Sequence, residues 1–265
     1  MKIFKNRNKL QKEISDINNI SFVPTMGGLH KGHISLIKKS KKYSKKSLVS
    51  IFVNPKQFND KKDFLRYPRN LKKDLIILKK LNVDYVYLPT YKDIFSFKTS
   101  NKIYLDRFSK KLCGKFRKGH FKGVINVVNR FLEITKPKYL FLGEKDFQQL
   151  IVISKHINKN KIGTKIINGK TIREHDGIAC STRNRILTKR QLQIASNIHK
   201  ILKKNKSLAI RNTRLLRKKC LEAGVNKIDY IEAYNTKTLT KPKSGKKYRV
   251  FIAFYLGKTR LIDNI

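Results

Sequence analysis

Through the first two-thirds of the chain, short apolar runs alternate with lysine-rich amphipathic stretches. Residues 20–24 read as a strand, ended by a proline and the Gly27-Gly28 pair. Over 33–43, Ile34, Leu36 and Ile37 fall among lysines, the pattern of a helix with one buried face. Residues 47–53 form an apolar run of strand length that stops at Asn54-Pro55, where the proline disfavours further regular structure. Leu71, Leu75, Leu78 and Leu81 stand at helical spacing, and the strand predicted over 83–88 closes on Pro89. Helices over 124–134 and 148–157 and strands over 139–142 and 165–172 complete the pattern. Such alternation predicts βαβ units and an α/β fold built on a parallel sheet.

Beyond residue 172 the pattern changes. Helices are expected over 189–204 and 213–223, then strands over 228–234 and 250–255. The expected division is a sheet domain over 1–171 and a smaller α+β domain over 172–265. A length of 265 residues suffices for a buried core, and 40% apolar residues argue against disorder. No run of about 18 uncharged apolar residues exists, so no membrane span is expected. The N-terminal residues lack the apolar core of a signal peptide. Cys113, Cys180 and Cys220 are odd in number and share no C-x-x-C spacing, against a disulfide framework or a cysteine zinc site. These features together predict a cytoplasmic protein. Lysine and arginine number 63 against 17 acids, a formal charge of +46. Clustered cations would suggest nucleic acid, but these are spread along the whole chain beside many Asn and Ile. No specific nucleic-acid partner is expected, although a diffuse positive field attracts anionic substrates.

The strongest candidate for chemistry is the segment after the first of these predicted strands, Met26-Gly27-Gly28-Leu29-His30-Lys31-Gly32-His33. Paired glycines let backbone approach a ligand, and a helix N-terminus offers unpaired N–H groups to an anion. Imidazoles at i and i+3 could both donate to a reorganising triphosphate. The plainer alternative is a pair of surface histidines beside a tight turn.

The H-x-G-H segment resembles the nucleotidyltransferase superfamily, and further stretches narrow the resemblance to the pantothenate synthetase family. These are Phe22-Val23-Pro24-Thr25-Met26-Gly27, Ser50-Ile51-Phe52-Val53-Asn54-Pro55-Lys56-Gln57-Phe58 and Arg66-Tyr67-Pro68-Arg69. Gly119-His120-Phe121-Lys122-Gly123-Val124 and Leu142-Gly143-Glu144-Lys145-Asp146-Phe147-Gln148-Gln149-Leu150 follow. Asp176-Gly177, Ser181-Thr182-Arg183-Asn184 and Arg260-Leu261-Ile262-Asp263-Asn264 close the series, in family order, from about residue 20 onward.

The resemblance implies a Rossmann-like fold and a two-step ligation. (R)-pantoate attacks the α-phosphate of ATP to give pantoyl adenylate and pyrophosphate, and β-alanine then displaces AMP to form pantothenate. Met26 to His33 would line the ATP site, with His33 in the family's proton-donor position and His30 assisting. Gly143, Glu144, Lys145 and Asp146 would contact ATP, with Lys145 near the phosphates and Asp146 near the ribose. Ile172 would lie near adenine, and Cys180, Ser181, Thr182 and Arg183 would form a second phosphate-binding loop. Gln57 and Gln149 would hydrogen-bond pantoate, a task that suits uncharged amides. Asp74, beside Lys72 and Lys73, reads first as a solvated acid and second as a ligand for Mg²⁺. The family also implies a homodimer paired through the N-terminal domain. Two departures stand out: Lys118 replaces the usual proline before Gly119, and Thr182 replaces a serine. A related enzyme transferring AMP or CMP to a phosphate acceptor is disfavoured, since such an acceptor calls for Arg or Lys at positions 57 and 149. A basic RNA-binding protein is disfavoured by the intact His30, His33, Lys145 and Arg183.

Overall fold

The computed structural model describes residues 1–242 and 246–265. The N-terminal part runs β1 (Lys2–Phe4), α1 (Arg7–Ile14), β2 (Ile20–Thr25), α2 (Lys31–Ser40) and β3 (Lys46–Ile51). It continues through α3 (Lys61–Arg66), α4 (Leu71–Lys80), β4 (Tyr85–Tyr87), α5 (Tyr91–Phe95) and α6 (Cys113–Phe116). α7 (His120–Thr135), β5 (Tyr139–Gly143), α8 (Phe147–Lys159) and β6 (Lys165–Gly169) complete the first sheet and its helices. The remainder is α9 (Lys189–Lys204), α10 (Leu208–Arg211), α11 (Thr213–Glu222), β7 (Lys227–Asn235), β8 (Tyr248–Leu256) and β9 (Thr259–Asn264).

β1 to β6 form one parallel sheet in the order β1-β4-β3-β2-β5-β6, and β7-β8-β9 form an antiparallel one. The fold is therefore α/β, with a Rossmann-like parallel sheet followed by a smaller α+β portion. Alternate residues of the central strands serve opposite faces of the large sheet. Phe22, Leu48, Tyr87, Leu140 and Leu142 join one apolar cluster, and Val23, Val49, Val86 and Phe141 join another. With helices on both faces, no polar face remains, which is why the strands read as unbroken apolar runs. Phe22 and Phe131 meet edge to face with ring centroids 5.5 Å apart, and each fully buried ring contributes about 1.5–3 kcal/mol.

The second sheet is two-sided as well. Val250, Ile252 and Phe254 pack with Ile198, Leu202 and Leu216 of α9 and α11. Phe251, Ala253, Tyr230 and Tyr234 belong instead to the cluster of the large sheet. The C-terminal sheet thus shares a core with the N-terminal part. The predicted elements agree with those observed to within a few residues, the last strand of the large sheet ending at Gly169. β1, α1, β9 and the short helices α3, α5, α6 and α10 had no sequence expectation. β1 has three residues, too few to show a period, and α1 buries only Leu10 and Ile14.

From β2 the chain steps through β3 to β4 on one side, and later passes to β5 on the other. The carboxyl ends of β2 and β5 therefore flank a topological switch point, where open α/β sheets bind ligands. α7 approaches the 54–57 turn closely here: a Cβ on Gly123 would stand 2.1 Å from the Lys56 carbonyl oxygen. Gly123→Ala is expected to cost about 1–3 kcal/mol through this overlap. Its melting temperature should fall by roughly 2–4 °C per kcal/mol, and a shift under about one degree by calorimetry would refute the close approach.

Candidate active site

A cavity of about 310 Å³ opens at this switch point, at the lower end of the range for small-molecule sites. Met26, His30, Gly32 and His33 line it from the β2–α2 segment, Gln57 from the loop after β3, and Lys145, Asp146 and Gln149 from the segment after β5. Ile172, Cys180, Ser181, Thr182 and Arg183 line it from beyond the large sheet.

The turn after β2 explains its own glycines. Gly27 and Gly28 have φ of +74° and +63°, left-handed values that glycine adopts without strain. The Gly28 and Leu29 N–H groups donate to the two Asp74 carboxylate oxygens, each at 2.8 Å. Asp74 is 1% exposed and does not line the cavity. The solvated-acid reading of Asp74 is therefore corrected: α4 turns it inward to satisfy two buried donors of the turn. A Cβ on Gly28 would meet the Thr182 methyl at 2.3 Å, and the Thr182 hydroxyl donates to the Gly28 carbonyl at 3.1 Å. The methyl by which Thr182 departs from serine thus packs onto the turn.

His30 and His33 cap α2 reciprocally. The Gly32 N–H donates to His30 Nδ1 at 3.1 Å, and the His30 N–H to His33 Nδ1 at 3.4 Å. The expected unpaired N–H groups at this helix start are instead taken up, at positions 30 and 32, by the imidazoles themselves. With Nδ1 accepting, each neutral ring carries its proton on Nε2. The rings lie 4.1 Å apart, centroid to centroid. Burial, reinforced by His33 and Lys145, pushes His30 down to about 2. Burial pushes His33 down to about 4 against the opposing pull of Asp146. Both rings are therefore neutral donors near neutral pH. α8, whose first residue follows Asp146, has no side-chain cap, so the positive end of its dipole stands beside the cavity.

Other predicted residues fall into two groups. Lys31 points away to pair with Glu174 at 2.6 Å, and Glu144 pairs with Arg249 at 3.3 Å. Neither lines the cavity, nor do Gly27, Gly28 and Leu29, which build the turn behind it. Gly143 lines it at the end of β5. Lys145 is largely buried and lies 3.6 Å from Asp146. Ser181 Oγ accepts from the Arg183 N–H at 3.3 Å, so its hydroxyl caps the turn it opens. Cys180 donates to Glu174 at 3.1 Å, and burial with this contact pushes its thiol up to about 11. Gln148 and Gln149 both border the cavity but part company there. Gln148 is spent on the Cys113 N–H and the Phe108 and Lys111 carbonyls, which leaves Gln149 as the amide available to a ligand.

Several contributing residues had no assigned role in the sequence reading. Arg117 and His120 both donate to the Gln57 carbonyl, at 3.0 and 2.8 Å, while Arg117 also donates to His120 Nε2 at 3.1 Å. Burial and Arg117 push His120 down to about 3, so this neutral ring carries its proton on Nδ1. The Asp63 carboxylate holds Arg183 Nη2 at 2.8 and 3.0 Å. Arg185 donates to the Leu29 carbonyl at 2.6 Å. Spacing along the chain carries no signal for pairs 60 to 156 residues apart.

Asp74→Ala would leave two buried N–H groups unpaired, at about 1–3 kcal/mol each. The expected result is a lowered melting temperature together with shifted NMR signals of the His30 and His33 rings, which the turn positions. Unchanged values in both measurements would contradict the assigned role. The histidines make a pH prediction. Their folded-state values lie below the unfolded value of about 6.5, so between the two the unfolded chain binds more protons. The stability they contribute is complete above about 6.5 and is lost as pH falls toward about 4 for His33 and about 2 for His30. NMR titration is expected to show both rings neutral at pH 5.5, and a protonated ring at that pH would overturn the burial argument.

Comparison with known proteins agrees with this architecture. The family model described as Pantoate-beta-alanine ligase matches residues 2–265. The chain is 40% identical to the pantothenate synthetase of Flavobacterium psychrophilum, over 97% of this chain and 94% of that protein. It is 42% identical to that of Francisella tularensis subsp. novicida, over 97% and 92%. Among solved structures, pantothenate synthetase from Thermus thermophilus aligns with a TM-score of 0.91 at 27% identity, covering 100% and 99% of the two chains. Pantoate-beta-alanine ligase from Francisella tularensis, complexed with Beta-gamma ATP and Beta-alanine, aligns with a TM-score of 0.87 at 39% identity, over 100% and 97%. With a family match over almost its full length and relatives at about 40% identity, the chain belongs to the pantoate–β-alanine ligase family.

Proposed function

We propose that this chain joins pantoate to β-alanine through a pantoyl adenylate, with nucleotide and hydroxy acid meeting in the cavity at the switch point. The observation that carries the reading is one cavity lined both by two neutral imidazoles beside a lysine and by two uncharged amides, Gln57 and Gln149. In the first step a pantoate carboxylate oxygen attacks the α-phosphorus. The bond from that phosphorus to the bridging oxygen breaks, and its electron pair leaves with pyrophosphate. His33 and His30 donate Nε2–H to the phosphate oxygens, which stabilises charge as it develops. Lys145 supports the phosphates, and Arg183 with the segment from 180 to 182 receives the departing pyrophosphate. In the second step the β-alanine amine attacks the acyl carbon, loses a proton and expels AMP.

Asp146 near the ribose and Ile172 near adenine complete the nucleotide contacts in this reading. Mg²⁺ would accompany ATP as its counter-ion and would supply further charge neutralisation at the phosphates. Asp74 is not proposed as its ligand, because its oxygens are turned onto the Gly28 and Leu29 N–H groups. The family resemblance also supports pairing of two copies through residues 1–171, a lid role for 172–265 and a cytoplasmic location. No helix is long and apolar enough to cross a membrane among the described residues. No nucleic-acid partner is proposed.

With Mg²⁺, ATP and pantoate, the protein is expected to exchange labelled pyrophosphate, and to release stoichiometric AMP only once β-alanine is added. Folded protein that exchanges no label would sink the proposal. His33→Ala is expected to lower turnover by about 10²–10⁴-fold while the protein stays folded. A loss below roughly tenfold, well under that range, would make the ring a structural cap alone.

A further inference from the structure

We infer that Asn264, at the end of the last strand, is a positioning residue that holds Lys145 against the nucleotide half of the cavity. This rests on the reading above in which Lys145 meets the ATP phosphates. The segment Glu144–Asp146 is a single 3-10 turn, and no side chain of its own caps it. Its support comes from the far end of the chain. Asn264 Nδ2 donates one hydrogen to the Glu144 carbonyl at 3.0 Å and the other to the Lys145 carbonyl at 2.8 Å. Two consecutive carbonyls can only accept, which fixes the orientation of the amide. Its Oδ1 in turn accepts from Arg249 Nη1 at 2.8 Å, and Arg249 Nη2 reaches Glu144 at 3.3 Å.

Asn264 is 4% exposed, so its amide has no bulk water to fall back on, and its two donated bonds fix the position of that turn. Asn264 is itself anchored. Its N–H donates to the Asp263 carboxylate at 2.7 Å, and Arg173 binds Asp263 with two nitrogens at 2.8 and 3.0 Å while donating to the Asn264 carbonyl at 3.1 Å. A rigid strand end thus grips the backbone at Lys145, whose side chain lines the cavity. Asn264 borders the cavity too, but both hydrogens of its amide and its Oδ1 are taken by protein groups. Its effect on catalysis therefore passes through the turn 144–146, and chiefly through Lys145, whose own carbonyl it holds.

The test is a double-mutant cycle with steady-state kinetics. Asn264→Ala and the isosteric Asn264→Asp are expected to raise KM for ATP by about ten- to a hundredfold, the scale set by displacing a contact group by about 1 Å. KM for pantoate should stay within about twofold, since neither Gln57 nor Gln149 shares a hydrogen-bond partner with Asn264. In a Lys145→Ala background, Asn264→Ala should add less than about twofold, as expected of residues acting through one another. A full additive loss in that background, or an unchanged KM for ATP in the single variants, overturns the inference. Should Asn264 variants melt below the assay temperature, Arg249→Gln removes the support at Oδ1, and Glu144→Gln, which weakens only the pair with Arg249, serves as its control. Arg249→Gln is expected to raise KM for ATP beyond the effect of Glu144→Gln. No movement there also counts against the inference. If Lys145→Ala alone leaves KM for ATP unchanged, the nucleotide reading of Lys145 fails first, a result distinct from failure at Asn264.

Discussion

The site depends on a carboxylate that touches no cavity. Asp74 accepts both N–H groups of the turn that follows β2, and without it two buried donors would face apolar surroundings. With it, the chain leaves the sheet through two left-handed glycines and starts α2 at His30. The direction of that helix decides where both imidazoles point. Thr182 closes the turn from the other side, its methyl against Gly28 and its hydroxyl on the same residue's carbonyl. The turn is therefore gripped between α4 and the segment 181–186.

A similar economy governs the rest of the cavity wall. The groups proposed to meet substrate are mounted by others whose polar atoms are engaged with protein. Gln57 sits on a carbonyl held by Arg117 and His120, and Arg183 is held by Asp63. Fixing a contact group beforehand removes part of the entropy that binding would otherwise have to offset. In a chain with only 17 acids, several take such supporting places: Asp63, Asp74, Glu144 and Asp263 each engage a residue or turn of the site. The large excess of cations is left at the surface, where its field favours anionic substrates.

Neutral histidines fit the same scheme. Burial with Lys145 and Arg185 nearby keeps protons off His30 and His33, and the capping bonds at Nδ1 leave Nε2–H as the donor. An imidazole that donates without carrying charge supports a triphosphate without binding the departing pyrophosphate as an ion pair.

Period and punctuation along the chain sufficed for the elements that span a core: alternating apolar runs marked β2 to β6, and leucine spacing marked α4. Those signals survive because burial imposes one residue type on each face. The glycine turn and its two histidines were legible for a like reason, since few roles need that combination. Chain order could not reveal that Asp74 faces inward, that Gln148 is structural while Gln149 is free, or that Asn264 supports Lys145. Each depends on contacts across 35 to 120 residues, set by which helix face or strand end meets the switch point. A polar residue's role depends on what stands opposite it, and only the tertiary structure decides that.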